Sequence, residues 1–582
     1  MSKINSENPG FTLRAAIIGA ALSLFLLTSS TYISLKIGAL PWPIVFSVIV
    51  SGGLIKMLNR GAAVNIHEVN TAQAGASIGG LLAAGLAFTV PGILYLNQSR
   101  AAEISWPNPW LLGIMTTVAG LLGILFSVPL KTAFVDEEKL PYPAGTAGAE
   151  LLKLSKVGGQ QLFFIVMIGA GAGIFALIRD VYFPAGWTLS ALAVFGIFIT
   201  FFPMPLGIGA GYILGPRAGF SWLLGAALGW LIIQPVLFQS GFDPTAATAW
   251  VQNLGMGMVL GSGIGFFIVY VLPRIKRIFA PLFHSVGRLL RWLPLLLFTA
   301  IAGLVLSGVP VFASVMTVGG VWIVVTIAAR MTGETNIDPL EQFGIFVALI
   351  IGLVYVTFSL QLSIFASFMI VTFVSVACAV AGDAGHDYKS AAIIGTRFFD
   401  IVKMDVIAVI VSGLAAPFVL EIVRDGFADE LFTPLMPAPQ AFMVAGSITG
   451  FEYPMVFAGG FVFAFVLEIL SRFLPEQYRN RVLFMPMGIG LFLGFGLAIP
   501  MAMGALLRHY VDKKKTNFYH SGLLIAAGVM GGEGIAGFTA GALKVMGVEH
   551  KNGALALAVV FWALLLLAWK SYAAIKKSKS KN

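Results

Sequence analysis

Apolar runs of about 20 residues recur from Thr12 almost to the end of this chain, and no polar stretch between them is long enough to fold separately. In water, so much continuous apolar surface could not be covered. With 58% hydrophobic and 11% charged residues over 582 positions, the sequence reads as a polytopic membrane protein. The runs are continuous and do not alternate with period two, so they predict α-helices and not the strands of an outer-membrane barrel. The first run, TLRAAIIGAALSLFLLTSSTYISLKIGA, is longer than a signal-peptide core and has no small-residue cleavage site after it. It is expected to be retained as a helix.

Clear spans fall near 12–37, 40–58, 109–130, 161–179, 187–202, 217–239, 251–272, 293–309, 311–329, 342–360, 362–381, 401–420, 454–470, 520–546 and 553–570. The expected fold is all-α, with about 14–16 transmembrane helices plus broken or re-entrant segments. The broken candidates are 202–215, 431–450 and 484–507, where proline and glycine interrupt apolar sequence. Such backbone is tolerated within a bilayer only when packed inside protein or lining a wet cavity.

The balance of 36 basic to 26 acidic residues, a formal +10, is a topology signal rather than a sign of nucleic-acid binding. Basic residues collect in 274–291, in 508–515 and in the tail from Lys570 to Lys581, as cytoplasmic loops do, which leaves the acidic loop 421–430 outside. The single cysteine, Cys378, lies in an apolar run and permits no intrachain disulfide.

Two polar stretches interrupt this pattern in a related way. Glu68-Val69-Asn70 and Glu334-Thr335-Asn336 lie roughly half the chain apart, each ahead of an apolar span. A second echo links 203–209 (PMPLGIG) with 486–490 (PMGIG). Together they predict two internal repeats, 1–285 and 286–582, within one integral membrane domain. Charged groups at membrane depth cost about 2.5–3.5 kcal/mol each on insertion scales, so they are expected to face a cavity or a partner. The plain alternative is that each cluster caps the next helix, through Thr71 or Asp338.

Other polar groups stand out against the apolar background. DEEKLPYPAGTAGAELLKL (136–154) passes from an acidic loop through Tyr142 into small residues that permit close helix approach. The stretch 381–391 places Asp383, His386, Asp387 and Lys389 between two apolar runs. Glu533 stands isolated among glycines, with no nearby cation in sequence, and is a candidate for carrying a proton.

Five blocks in order resemble the oligopeptide transporter (OPT) family: EVNTAQAGASIGGLLAAGLAFTVPGI, EEKLPYPAGTAGAELLK, LGIGAGYILGPRAGFSWLLGAALGWLIIQPVL, GETNIDPLEQFG and GHDYKSAAIIGTR. The resemblance covers nearly the whole chain and points to the short prokaryotic branch, related to the yellow-stripe-like transporters. The chain departs from the family pattern at Ala144, Ser390 and Ala391. What the resemblance implies is a proton-coupled symporter of small peptides or peptide-like metal chelates, with no resident cofactor and no metal of its own. It also implies a multi-pass location in the inner (plasma) membrane and is compatible with a homodimer.

On that basis a midplane cavity between the repeats is expected, lined by Glu68, Asn70, Gln73, Glu334, Asn336 and Asp338. Tyr142 and Thr146 would form one wall, Asp387 and Lys389 would add polar contacts, and Glu68, Glu334 and Glu533 would carry the coupling proton. No His-Glu-x-x-His, Gly-x-Ser-x-Gly or Gly-x-Gly-Asp element is present, so an enzyme is not expected. A passive channel for a small polar solute is the alternative. One cysteine and six histidines are too few soft ligands for transport of a naked soft metal ion.

Overall fold

The computed structural model describes residues 9–40, 44–59, 64–153, 159–183, 186–197, 199–270, 272–274, 293–336, 338, 340–471, 473–475, 481–514, 518–549, 551–563 and 566. Most of the basic loop 274–291 and the tail from Lys570 to Lys581 lie outside them. Among the described residues, 12 helices are long and apolar enough to cross a membrane, and shorter apolar helices accompany them. The protein is an all-α polytopic membrane protein.

Burial shows which helices are central. The best apolar windows of Ile66–Arg100 and Ile364–Ile394 are 94% and 89% buried inside the protein, against 11% for Pro454–Ser471. Small residues account for the first of these: glycines and alanines along Ile66–Ala87 let backbones approach closely. The helix Leu13–Ile37 runs parallel to it, with Gly19 against Ala72 and Ser23 against Gly79.

Two segments differ from expectation. The stretch 187–202 is not a span but a small antiparallel hairpin, Trp187 pairing with Phe201 and Thr188 with Thr200, around a short 3-10 turn. Gly186 and Gly196, both at positive φ, break the apolar run into turns, and apolar length alone cannot distinguish a helix from such a piece. The stretch 381–391, read as a polar interruption between two runs, is the interior of the continuous helix Ile364–Ile394. Ser363 caps its start and Gly395, at φ 84, closes its end, while the sequence between contains no proline to stop it.

The two halves are related by an inverted pseudo-two-fold. Helix Val311–Thr335 runs parallel to Ile364–Ile394, with Gly308 against Phe365 and Gly382 beside Thr332, as Leu13–Ile37 runs along Ile66–Ala87. Contacts between the two central helices run the other way: Asn70 meets Ser390, Gln73 meets Asp387, Ser77 meets Asp383 and Thr89 meets Thr372. The second set of helices is therefore antiparallel to the first.

Finer detail repeats the relation. Tyr142 and Ala438, each between two prolines, hold φ of 39 and 41. Tyr142 N donates to Gly333 O at 2.7 Å and Ala438 N to Leu35 O at 2.9 Å, so each repeat docks on the helix end of the other. Those helices end on left-handed caps, Gly38 at φ 63 and Asn336 at φ 62. The proline- and glycine-punctuated segments are broken helices, as expected for 202–215 and 484–507. Pro205–Leu214 and Phe484–Leu493 each stop at a positive-φ glycine, Gly215 or Gly494, before a second helix begins.

The echo that suggested the repeat is not the pair that the structure superposes. Glu68 lies in the first turn of Ile66–Ala87, whereas Glu334 lies in the last turn of Val311–Thr335. By the contacts above, the counterpart of the Glu334 tip is the Lys36–Gly38 tip.

Candidate functional site

The polar residues of the two central helices form one buried seam. Asn65 caps Ile66–Ala87 by accepting from His67 N at 3.0 Å, so Thr71 lies inside the helix rather than at its cap. Helical spacing then stacks Asn70, Gln73 and Ser77 on one face, while Glu68, two residues before Asn70, faces Thr12 and Arg14 instead.

Asn70, fully buried, donates to Thr396 Oγ1 at 3.1 Å and accepts from Ser390 Oγ at 2.6 Å. Gln73 donates from Nε2 to Asp387 Oδ1 at 3.0 Å and accepts from Ser47 Oγ at 3.4 Å. Ser77 Oγ is hydrogen-bonded to Asp383 Oδ2 at 2.7 Å, with Asp387 Oδ2 at 3.4 Å. Asp383 and Asp387 are 0% exposed, four residues apart on one helix face.

Next to them, Tyr142 turns its ring edge-on to His386, with centroids 5.4 Å apart, and donates from its hydroxyl to Ala329 O at 2.9 Å. His386 Nδ1 accepts from Gly145 N at 3.2 Å. A ring nitrogen that accepts carries no proton, so His386 is neutral here. A Cβ at Gly145 would lie 2.2 Å from His386 O, which explains why only glycine fits where the Pro143–Lys153 helix crosses this face. Thr146 turns back on its own chain, donating to Pro141 O at 2.6 Å.

The tip after Val311–Thr335 brings further candidates beside this face. Asn336 Oδ1 accepts from Ala144 N at 3.1 Å. Asp338 approaches Gly382; both its carboxylate oxygens are buried and make no hydrogen bond among the described residues. Burial, with the Glu341 charge nearby, raises the Asp338 carboxyl well above the usual carboxylate range.

Each glutamate singled out in the sequence has an arginine. Glu68 accepts from Arg14 through both oxygens and from Thr12 Oγ1 at 2.6 Å. Glu334 pairs with Arg330 Nε at 3.0 Å, and Arg330 also binds Glu138 at 2.8 Å. Glu533 pairs with Arg179 Nη1 at 2.7 Å and accepts from Leu206 N at 2.7 Å, at the start of the first broken helix. Lys389 stands two residues beyond Asp387, a turn of about 200° around the helix, and does not join the seam.

The structure adds residues that the motifs did not single out. Asp405, in helix Phe398–Gly426, is 0% exposed and neither carboxylate oxygen has a hydrogen-bond partner among the described residues. Its signal was an aspartate two residues after Lys403, at the edge of a long apolar stretch of a membrane span. Lys36 is buried at the first tip, donating to Tyr32 OH at 2.7 Å, so the pseudo-equivalent tips carry opposite charges, Lys36 and Glu334.

Inverted repeats joined across a buried polar seam define a class: a multi-pass membrane protein with the architecture of a transporter. The family model described as OPT oligopeptide transporter protein matches residues 10–286 and again 286–544. The chain belongs to the OPT family, whose members are transporters and not enzymes. It is 25% identical, over 87% of its length and 91% of the relative's, to a Haemophilus influenzae protein assigned by name to the oligopeptide transporters. It is 22% identical to a protein of Oryza sativa subsp. japonica named as a probable metal-nicotianamine transporter, YSL9, over 75% of this chain and 72% of that one. The metal-nicotianamine transporter YSL3 of Arabidopsis thaliana is 27% identical over 30% of this chain and 28% of its own.

Proposed function

We propose that this protein is a secondary active transporter that carries small peptides or peptide-like metal chelates across the cell's inner membrane by proton-coupled symport. The observation that carries the reading is the buried seam from Asn70 to Ser77 against Asp383 to Ser390, lying on the interface between two inverted repeats. An interface of this kind can be exposed alternately to either side by rocking one repeat against the other.

Glu68, Asn70, Gln73, Tyr142, Thr146, Glu334, Asn336, Asp338, Asp387 and Lys389 are the proposed substrate contacts. The opposite charges of the two tips suit a zwitterion, with carboxylates drawn toward Lys36 and ammonium groups toward Glu334. Glu68, Glu334 and Glu533 are the sequence candidates for proton coupling. For coupling, the protonated carrier must bind substrate more tightly than the deprotonated one, and the effect is reciprocal. The names of the relatives, one an oligopeptide transporter and two metal-nicotianamine transporters, support this substrate class.

The test is thermal stabilisation of the purified protein by trialanine, glutathione and nickel–nicotianamine, followed by uptake of any stabilising compound into proteoliposomes. Stabilisation by a member of this panel with saturable uptake supports the reading. A passive channel would equilibrate solute without accumulating it.

A further inference from the structure

Asp383 and Asp387 in the seam, and Asp405 near enough to interact with both, lack what a buried negative charge requires. Asp383, Asp387 and Asp405 are each 0% exposed, and none forms an ion pair among the described residues. Asp405 has no hydrogen-bond donor on either oxygen and Asp383 none on Oδ1. Removing an unpaired carboxylate from water is prohibitive; such a group neutralises instead.

The hydrogen bonds around Ser77 fit the same answer. Ser77 Oγ lies 2.8 Å from Ala74 O and 2.7 Å from Asp383 Oδ2. A serine hydroxyl has one proton, and a carbonyl oxygen can only accept. With Asp383 protonated, its hydroxyl can donate to Ser77 Oγ while Ser77 donates to Ala74 O; with Asp383 ionised, the one serine proton has to be shared between the two oxygens.

The surrounding cations are engaged elsewhere. Arg14 is held by Glu68 and Asn59, Arg330 by Glu138 and Glu334, and Lys131 by Asp136 at 2.5 Å. Lys36 lies against Tyr32, Lys403 stands over the Phe11 ring at 5.6 Å, and Lys389 points away around its helix. His386, on the same helix, accepts through Nδ1 and is neutral. Helix Pro109–Leu130 presents no charged side chain, and the other titratable neighbours, Asp338, Glu341, Asp400, Tyr142 and Tyr388, bring no positive charge. Among the described residues, no three His, Cys, Asp or Glu side chains come together as a metal-ligand set.

We propose that Asp383, Asp387 and Asp405 form the proton-loading cluster of this protein, protonated in the closed form described here and deprotonated when the seam opens to water. Each transfer passes a proton from a carboxyl to water on one side of the membrane and takes one from water on the other. Glu68, Glu334 and Glu533, by contrast, each face an arginine. The inference deepens the transport reading and rests on it for the proton's destination, but not for the protonation itself.

The experiment is infrared difference spectroscopy of the full-length protein in lipid nanodiscs, titrated with pH without any substrate. A protonated-carboxyl C=O band is expected, reduced stepwise in Asp383→Asn, Asp387→Asn and Asp405→Asn. Ser77→Ala, which keeps every carboxyl, is expected to shift the band without reducing it, and covers the case in which an aspartate variant fails to fold. A wild-type spectrum without the band, or a band that sodium or nickel removes at constant pH, overturns the proposal. In proteoliposomes the triple variant is expected to lose pH-driven accumulation of whichever panel compound the wild type transports; undiminished accumulation also overturns it. If the wild type transports no member of the panel, the substrate reading fails while the infrared result still judges the cluster.

Discussion

Ser390 Oγ donates to Asn70 Oδ1 at 2.6 Å, joining the two central helices of the inverted repeats at a fully buried position. Asn70 spends its amide hydrogens on Thr396, so the serine is the donor on which its carbonyl depends. Ser390→Ala removes that donor without replacing the acceptor and is expected to cost about 1–3 kcal/mol of stability. Replacing both partners, Asn70→Ala with Ser390→Ala, is expected to cost less than the sum of the single changes. Thermal unfolding of the purified variants in one detergent checks both.

Arg179 and Glu533 form a fully buried pair, and Arg179 also binds Asp180 at 2.7 Å, so losing the arginine strands the Glu533 charge. Arg179→Gln is expected to destabilise by about 3–5 kcal/mol, and the double variant Arg179→Gln/Glu533→Gln to recover most of that loss. Folded yield and unfolding temperature measure this. If the single variant unfolds no earlier than the wild type, the pair is not structural.

The crossed broken helices give a symmetrical prediction. A Cβ at Gly211 would lie 1.9 Å from Met501 O, and one at Gly490 would lie 1.9 Å from Trp222 O. Gly211→Ala and Gly490→Ala should each cost about 1–3 kcal/mol through overpacking, by similar amounts, because the positions are pseudo-equivalent. Melting curves that separate the two variants widely would contradict the equivalence.

Asp338 makes a prediction in pH. Burial raises its carboxyl in the folded protein, so between the ordinary carboxylate range and that raised value the folded state binds more protons than the unfolded one. Stability from this group is present at low pH and falls as pH rises through the raised value. Asp338→Asn should flatten that decline and unfold at a higher temperature than the wild type on the alkaline side. A steeper decline in the variant would reverse the assignment.

The sequence carried the membrane class plainly, because continuous apolar runs leave few alternatives. It also carried the broken helices, since proline and glycine act locally. It carried less of the site. Glu68 and Glu334 share a tripeptide but occupy opposite ends of their helices, and the true counterparts, Gly38 with Asn336 and Tyr142 with Ala438, share backbone conformation but not residue type. Left-handed caps can be glycine or asparagine, so such an equivalence leaves little trace in the letters. Asp387 and Gln73 were visible as polar residues, but their pairing across the repeats depends on antiparallel packing that no local pattern encodes. Asp405 was overlooked because it stands alone between Lys403 and a long apolar stretch, in no motif that repeats elsewhere in the chain.

The central claim is that a proton gradient drives substrate through the interface of the two repeats. The most direct measurement is accumulation of trialanine or nickel–nicotianamine in proteoliposomes under an inside-alkaline pH gradient. The account predicts an internal concentration above the external one, collapsing on addition of a protonophore. Uptake that stops at equal concentrations, or that is the same with and without the gradient, would contradict it.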